Sequence, residues 1–78
     1  MKVTVENIKE VIVEADVVVD VNDIKCDLPL IEQGLDSLDL VNIYFLLEEK
    51  FNVKIPDEDL DKVATIDAIV EYINNKLD

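Results

Sequence analysis

Residues 34–51 read Gly34-Leu35-Asp36-Ser37-Leu38-Asp39-Leu40-Val41-Asn42-Ile43-Tyr44-Phe45-Leu46-Leu47-Glu48-Glu49-Lys50-Phe51. This stretch predicts a helix over 37–50. Gly34 breaks the chain just before it. Asp36 is suited to the N-cap, and Asp39 places a second acid at the positive end of the helix dipole. At about 100° per residue, Leu40, Ile43, Tyr44, Leu47 and Phe51 fall on one broad side. Leu38, Val41, Asn42, Phe45 and Glu49 fall on another. One packing face needs less apolar surface than this, and only one of the two sides can face the core.

The flanking segments predict further helices. Over 4–15, Val5, Ile8, Val11, Ile12 and Ala15 form an apolar stripe behind a Thr4 N-cap. Over 65–76, Ile66, Ile69, Val70, Ile73 and Leu77 repeat the same spacing behind Thr65. Pro56 ends any helix entering from Lys54-Ile55. Asp57 is suited to cap a short helical turn over 58–62, with Leu60 pointing inward. The connection 16–36 holds turn formers (Asp20, Asn22, Asp23, Asp27) and Pro29. Its Val19, Ile24, Leu28, Leu30 and Ile31 are too apolar for a freely solvated loop, so an ordered loop with several of these packed on the core is expected. Val17-Val18-Val19 has no partner strand and makes no sheet. The fold class expected is all-α: a small four-helix bundle, three longer helices and one short one, with a long ordered first loop. The 78 residues are read as a single domain, 1–78.

Composition narrows the function. The chain has 19 Asp and Glu against 7 lysines, no arginine and no histidine, for a formal net charge of −12. Neutralising phosphates needs Lys and Arg, so nucleic acid and anionic membrane are excluded as direct partners. Without histidine there is no imidazole base or ligand. Cys26, the one cysteine, allows neither an internal disulfide nor a thiolate zinc site, and it is expected as a small buried apolar residue. No resident metal is expected. The start, Met1-Lys2-Val3-Thr4-Val5-Glu6, does not read as a signal peptide, and no apolar run reaches the ~20 residues of a membrane span. A cytoplasmic monomer is expected.

Ser37 is the single serine. As a nucleophile it lacks an activating base, since Lys50 lies more than three turns away along the helix. Local chemistry leaves two readings. Ser37 is an ordinary first-turn helix residue, or it is an attachment point, where a phosphate ester would face free N–H groups and the positive end of the dipole. Asp36 and Asp39 would repel that anion, yet could hold Mg²⁺ during the attachment reaction.

The run Gly34-Leu35-Asp36-Ser37-Leu38-Asp39 resembles the modification motif of acyl carrier proteins. So do Leu46-Leu47-Glu48-Glu49-Lys50-Phe51 and Ile55-Pro56-Asp57-Glu58, at matching spacing. The resemblance implies a four-helix bundle that catalyses nothing. It implies that Ser37 bears 4′-phosphopantetheine, transferred from coenzyme A by a Mg²⁺-dependent phosphopantetheinyl transferase. The arm's thiol would carry acyl groups as thioesters between enzymes of fatty-acid or related lipid and polyketide synthesis. Asp36, Leu38, Asp39, Val41, Asn42, Phe45, Glu48 and Glu49 would form an apolar stripe with a charged rim for the basic docking patches of transferring or synthase enzymes. Ile43, Leu47, Phe51 and Ile69 would line the core between whose helices acyl chains can slip. Three departures from the pattern stand out. Asn42 replaces a usual acid, Tyr44 and Phe45 are bulkier than usual, and Cys26-Asp27-Leu28-Pro29-Leu30-Ile31 is not the common loop.

The alternatives are a dedicated carrier for specialised or amino-acyl cargo and, in another class, a non-catalytic acidic interaction module. A calcium loop starting at Asp20 fails, because Lys25 stands where glycine is needed and Ile31 where glutamate is needed.

Overall fold

The computed structural model describes residues 2–77. Three α-helices carry the fold: α1, Val5–Glu14; α2, Ser37–Phe51; and α3, Ile66–Leu77. A 3-10 helix, Asp57–Val63, is the fourth and short member of the bundle, and the described residues hold no strand. The long connection between α1 and α2 contains two further 3-10 turns, Val21–Asp23 and Leu30–Gln33.

The caps follow from the sequence. Thr4 Oγ1 accepts the Asn7 N–H while the Asn7 side chain accepts the Thr4 N–H, closing a reciprocal box at the start of α1. The Ala68 N–H donates to Thr65 Oγ1 at 3.0 Å at the start of α3. Asn52, at φ +54°, ends α2 in the left-handed conformation. Gly34 closes the turn Leu30–Gln33 at φ +94°. A Cβ there would stand 3.0 Å from Val19 Cγ2, so both backbone conformation and space call for glycine.

One core joins the elements. Ile8, Val11 and Ile12 of α1, Ile43 and Leu47 of α2, and Ile66, Ile69 and Ile73 of α3 are fully enclosed, with Leu30 and Val63 beside them. No polar or charged residue is buried among the described residues. α1 packs on both α2 and α3, and the 3-10 helix packs on α3.

The first loop is ordered, as its apolar content requires. The Leu30 N–H donates to the Ala64 carbonyl at 2.8 Å, and the Asp67 N–H to the Cys26 carbonyl at 3.1 Å. The Gln33 amide clasps the loop, accepting from the Lys25 N–H and donating to the carbonyls of Lys25 and Leu28. At the other edge, Asn74 brackets Val3, accepting its N–H at 2.7 Å and donating to its carbonyl at 3.2 Å.

Some expectations need correction. The loop is not among them: several of its apolar residues pack on the core as expected, Ile24 and Leu30 buried and Val19 half-buried, while Leu28 and Ile31 stay exposed. Cys26 is half-buried rather than enclosed. Leu60 is exposed and not part of the core. It lies on the wall of a surface cleft instead, and Val63 at the end of the segment takes the enclosed position. Asp57 is the first residue of that helix, not its cap, and Pro56 before it makes no side-chain cap bond.

Candidate functional site

The N-terminus of α2 is capped by its two aspartates. The Asp39 N–H donates to Asp36 Oδ1 at 2.9 Å, and the Asp36 N–H to Asp39 Oδ2 at 3.2 Å. Both bonds of the box are thus made by carboxylates on either side of Ser37. The Ser37 hydroxyl has no part in them, and the residue is exposed.

Ser37 also lines a cleft of about 580 Å³ between α2 and the 3-10 helix, a volume within the range of small-molecule sites. The α2 wall runs from Ser37 through Leu40, Val41, Tyr44 and Phe45 to Glu48. The facing wall is Asp57, Leu60, Asp61 and Ala64, with Ile31 and Ile55 completing the lining. The surface is mostly apolar, and its carboxylates come from Glu48, Asp57 and Asp61. The Glu48 carboxylate is already engaged, because Oε2 accepts the Ile55 N–H at 2.7 Å.

Tyr44 crosses between the two walls. It is half-buried, packs on the enclosed core and donates its hydroxyl to the Val63 carbonyl at 2.9 Å. Burial raises its pKa above the ordinary phenol value. A second tyrosine fixes the 3-10 helix from outside the cleft: Tyr72 Oη donates to Asp59 Oδ2 at 2.6 Å, and Lys62 lies 3.4 Å from Asp59 Oδ1. Desolvation, reinforced by the Asp59 carboxylate, pushes Tyr72 up to about 12, while the bond from Tyr72 holds Asp59 below the usual carboxylate range. At the far end of α2, Lys50 bonds Glu14 of α1 at 2.9 Å, and that hydrogen bond raises the lysine's pKa.

The two faces of α2 separate as the periodicity predicts. Leu38, Val41 and Phe45 are exposed at 73%, 61% and 58%, while Ile43 and Leu47 are fully enclosed. Asp36, Asn42 and Glu49 are exposed around that apolar stripe, and Asp39 and Glu48 are half-buried. Ile43, Leu47 and Ile69, expected to line the core, are fully enclosed in it and are not on the cleft wall; Phe51 is half-buried, packs against that core and is also off the cleft.

The cleft-lining residues not anticipated as a group are Leu40, Tyr44, Leu60 and Ala64 with Ile31 and Ile55. Leu40 and Tyr44 had a local signal, since positions three and seven beyond Ser37 share its helix face. The others are brought in by tertiary packing, which no local spacing reveals.

The chain is similar to known proteins over most of its length. Residues 6–73 match the family model described as phosphopantetheine attachment site. The acyl carrier protein of Wolinella succinogenes is 45% identical over 69 residues, covering 87% of this chain and 90% of its own. That of Helicobacter hepaticus is 44% identical over 71 residues, covering 90% and 92%. That of Campylobacter jejuni subsp. jejuni is 42% identical over 73 residues, covering 92% and 94%.

The chain belongs to the acyl carrier protein family.

Members of this family are carriers, not catalysts, and membership brings a covalently attached 4′-phosphopantetheine. The structure fits such a group. An exposed hydroxyl, unused by the helix cap, lies beside a mainly apolar cleft. Among the described residues no helix is long and apolar enough to cross a membrane.

Proposed function

We propose that Ser37 is the attachment point of the arm and that the adjoining cleft shelters the cargo. The supporting observation is the one hydroxyl that is exposed, excused from capping and on the cleft wall. The free N–H groups at the start of α2 favour a phosphate ester there, partly offset by the charges of Asp36 and Asp39. The arm supplies a thiol that carries acyl groups as thioesters. Leu40, Val41 and Phe45 offer apolar surface to such a chain, and burying each methylene gains about 0.8 kcal/mol. The wild-type chain, incubated with coenzyme A, Mg²⁺ and a phosphopantetheinyl transferase, gains one phosphopantetheine mass by intact-mass spectrometry. An unchanged mass in the folded protein overturns the assignment.

The partners are the transferase and acyl-transferring or synthase enzymes, which meet the exposed stripe Leu38, Val41 and Phe45 through basic patches, in a cytoplasmic setting and with the carrier as a monomer. The chain's charge of −12 draws such patches in over distances comparable to the Debye length. Glu49→Lys, a reversal on the exposed rim, therefore lowers the association rate with the transferase several-fold at low salt. Stopped-flow binding should show the deficit shrinking as salt rises. Equal rates at low salt would remove Glu49 from the docking surface.

A further inference from the structure

We propose that Tyr44 is the specificity-determining residue of the cleft, a plug that keeps a carried chain in the groove and out of the helical core; this rests on the reading of the groove as the cargo site. Tyr44 lies seven residues beyond Ser37 on α2, two turns or about 11 Å along the axis. One side of it lines the groove and the other packs on the enclosed cluster. Its hydroxyl is tied to the Val63 carbonyl on the facing element at 2.9 Å. Val63, Ile43, Leu47 and Ile69 are all fully enclosed and absent from the groove lining.

A chain that enters beside Ser37 therefore meets Leu40 and Val41 first and reaches a latched ring after two turns. Passing inward requires the ring to swing. That would strip the Val63 carbonyl of its side-chain donor and leave a phenol hydroxyl to find another partner in mainly apolar surroundings. Staying in the groove requires neither. A short saturated chain is thus covered by groove residues, and the distal part of a long one runs over the Tyr44 ring toward Ile55 and solvent. The cargo class favoured is short- to medium-chain acyl groups.

Methyl NMR on octanoyl and tetradecanoyl forms of the arm-bearing protein tests this. Loading is verified by intact mass on the same samples. In the wild type, the methyl signals of Leu40, Val41 and Leu60 shift with both chains, while those of Ile43, Leu47 and Ile69 stay within the change produced by the arm alone. In Tyr44→Phe, which keeps the ring and loses the latch, and in Tyr44→Leu, which loses the ring, the tetradecanoyl form moves the three core residues as well. Core signals that shift in the loaded wild type overturn the proposal, as do core signals that stay silent in both variants. Absence of any adduct strikes at Ser37 instead and is read from the mass before any spectrum is taken. In that event, 1-decanol added to the unmodified chain puts the same question to the same methyl groups, with the same expected pattern.

Discussion

Ser37→Ala is expected to fold like the wild-type chain and to accept no arm at all. The two halves of this result have separate causes. Folding is spared because the start of α2 is held by the reciprocal bonds of Asp36 and Asp39, neither of which uses the serine hydroxyl. Ser37 is exposed, so the substitution leaves no cavity, and alanine is the better helix former. Stability should stay within about 0.5 kcal/mol of the wild type. Loading is abolished because no other serine exists, and Thr4 and Thr65 lie far along the chain, each capping a different helix. Denaturant unfolding together with intact mass after treatment with coenzyme A and the transferase reads both halves. An adduct on the variant would move the attachment point elsewhere. An unfolded variant would mean that the hydroxyl holds structure that the cap geometry does not reveal.

Ile69→Ala should have the opposite profile, a large loss of stability at a residue that never meets solvent. Ile69 is 0% exposed, one turn into α3, and belongs to the cluster that joins all three α-helices. Truncation removes buried methyl groups and leaves a cavity in a close-packed interior, at a cost of about 2–5 kcal/mol. A domain of this size has about 4–12 kcal/mol in total. With roughly 4–8 °C lost per kcal/mol, Tm should drop by at least about 8 °C. Urea and thermal melts of the unloaded protein measure this directly. A loss under about 1 kcal/mol would show that the bundle collapses around the gap. The charge of −12 sharpens the consequence, because self-repulsion opposes the compact state and a thinned core has less to set against it.

What the sequence made legible here was periodic or local. The stripes of α1 and α3 and the Thr4, Asp36 and Thr65 caps each depend on residues within one or two turns, and each stands where the spacing puts it. The split faces of α2 were legible for the same reason. Leu60 was not, since nothing in Asp57-Glu58-Asp59-Leu60 shows whether its side chain turns into the core or onto the wall of a cleft. Leu28 and Ile31 show a second limit: an apolar loop residue must be near the fold, but hydropathy does not say whether it goes under it or onto its surface. The groove was the least visible feature. Its walls come from α2, the first loop and the 3-10 helix, and its crossing bond joins residues 19 positions apart. Tyr44 was noticed for its bulk, yet bulk alone does not disclose that its hydroxyl finds a backbone oxygen on another element.

The bracket between Asn74 and Val3 spans 71 positions of sequence. Loop closure over such a length is entropically costly and is repaid only once the intervening helices have docked. The Val3 amide is therefore a late sensor: its hydrogen should exchange slowly only in molecules whose assembly is complete, and loosening of either extremity is felt by the other. The polypeptide behaves less as a string with two independent tails than as a hoop with a clasp.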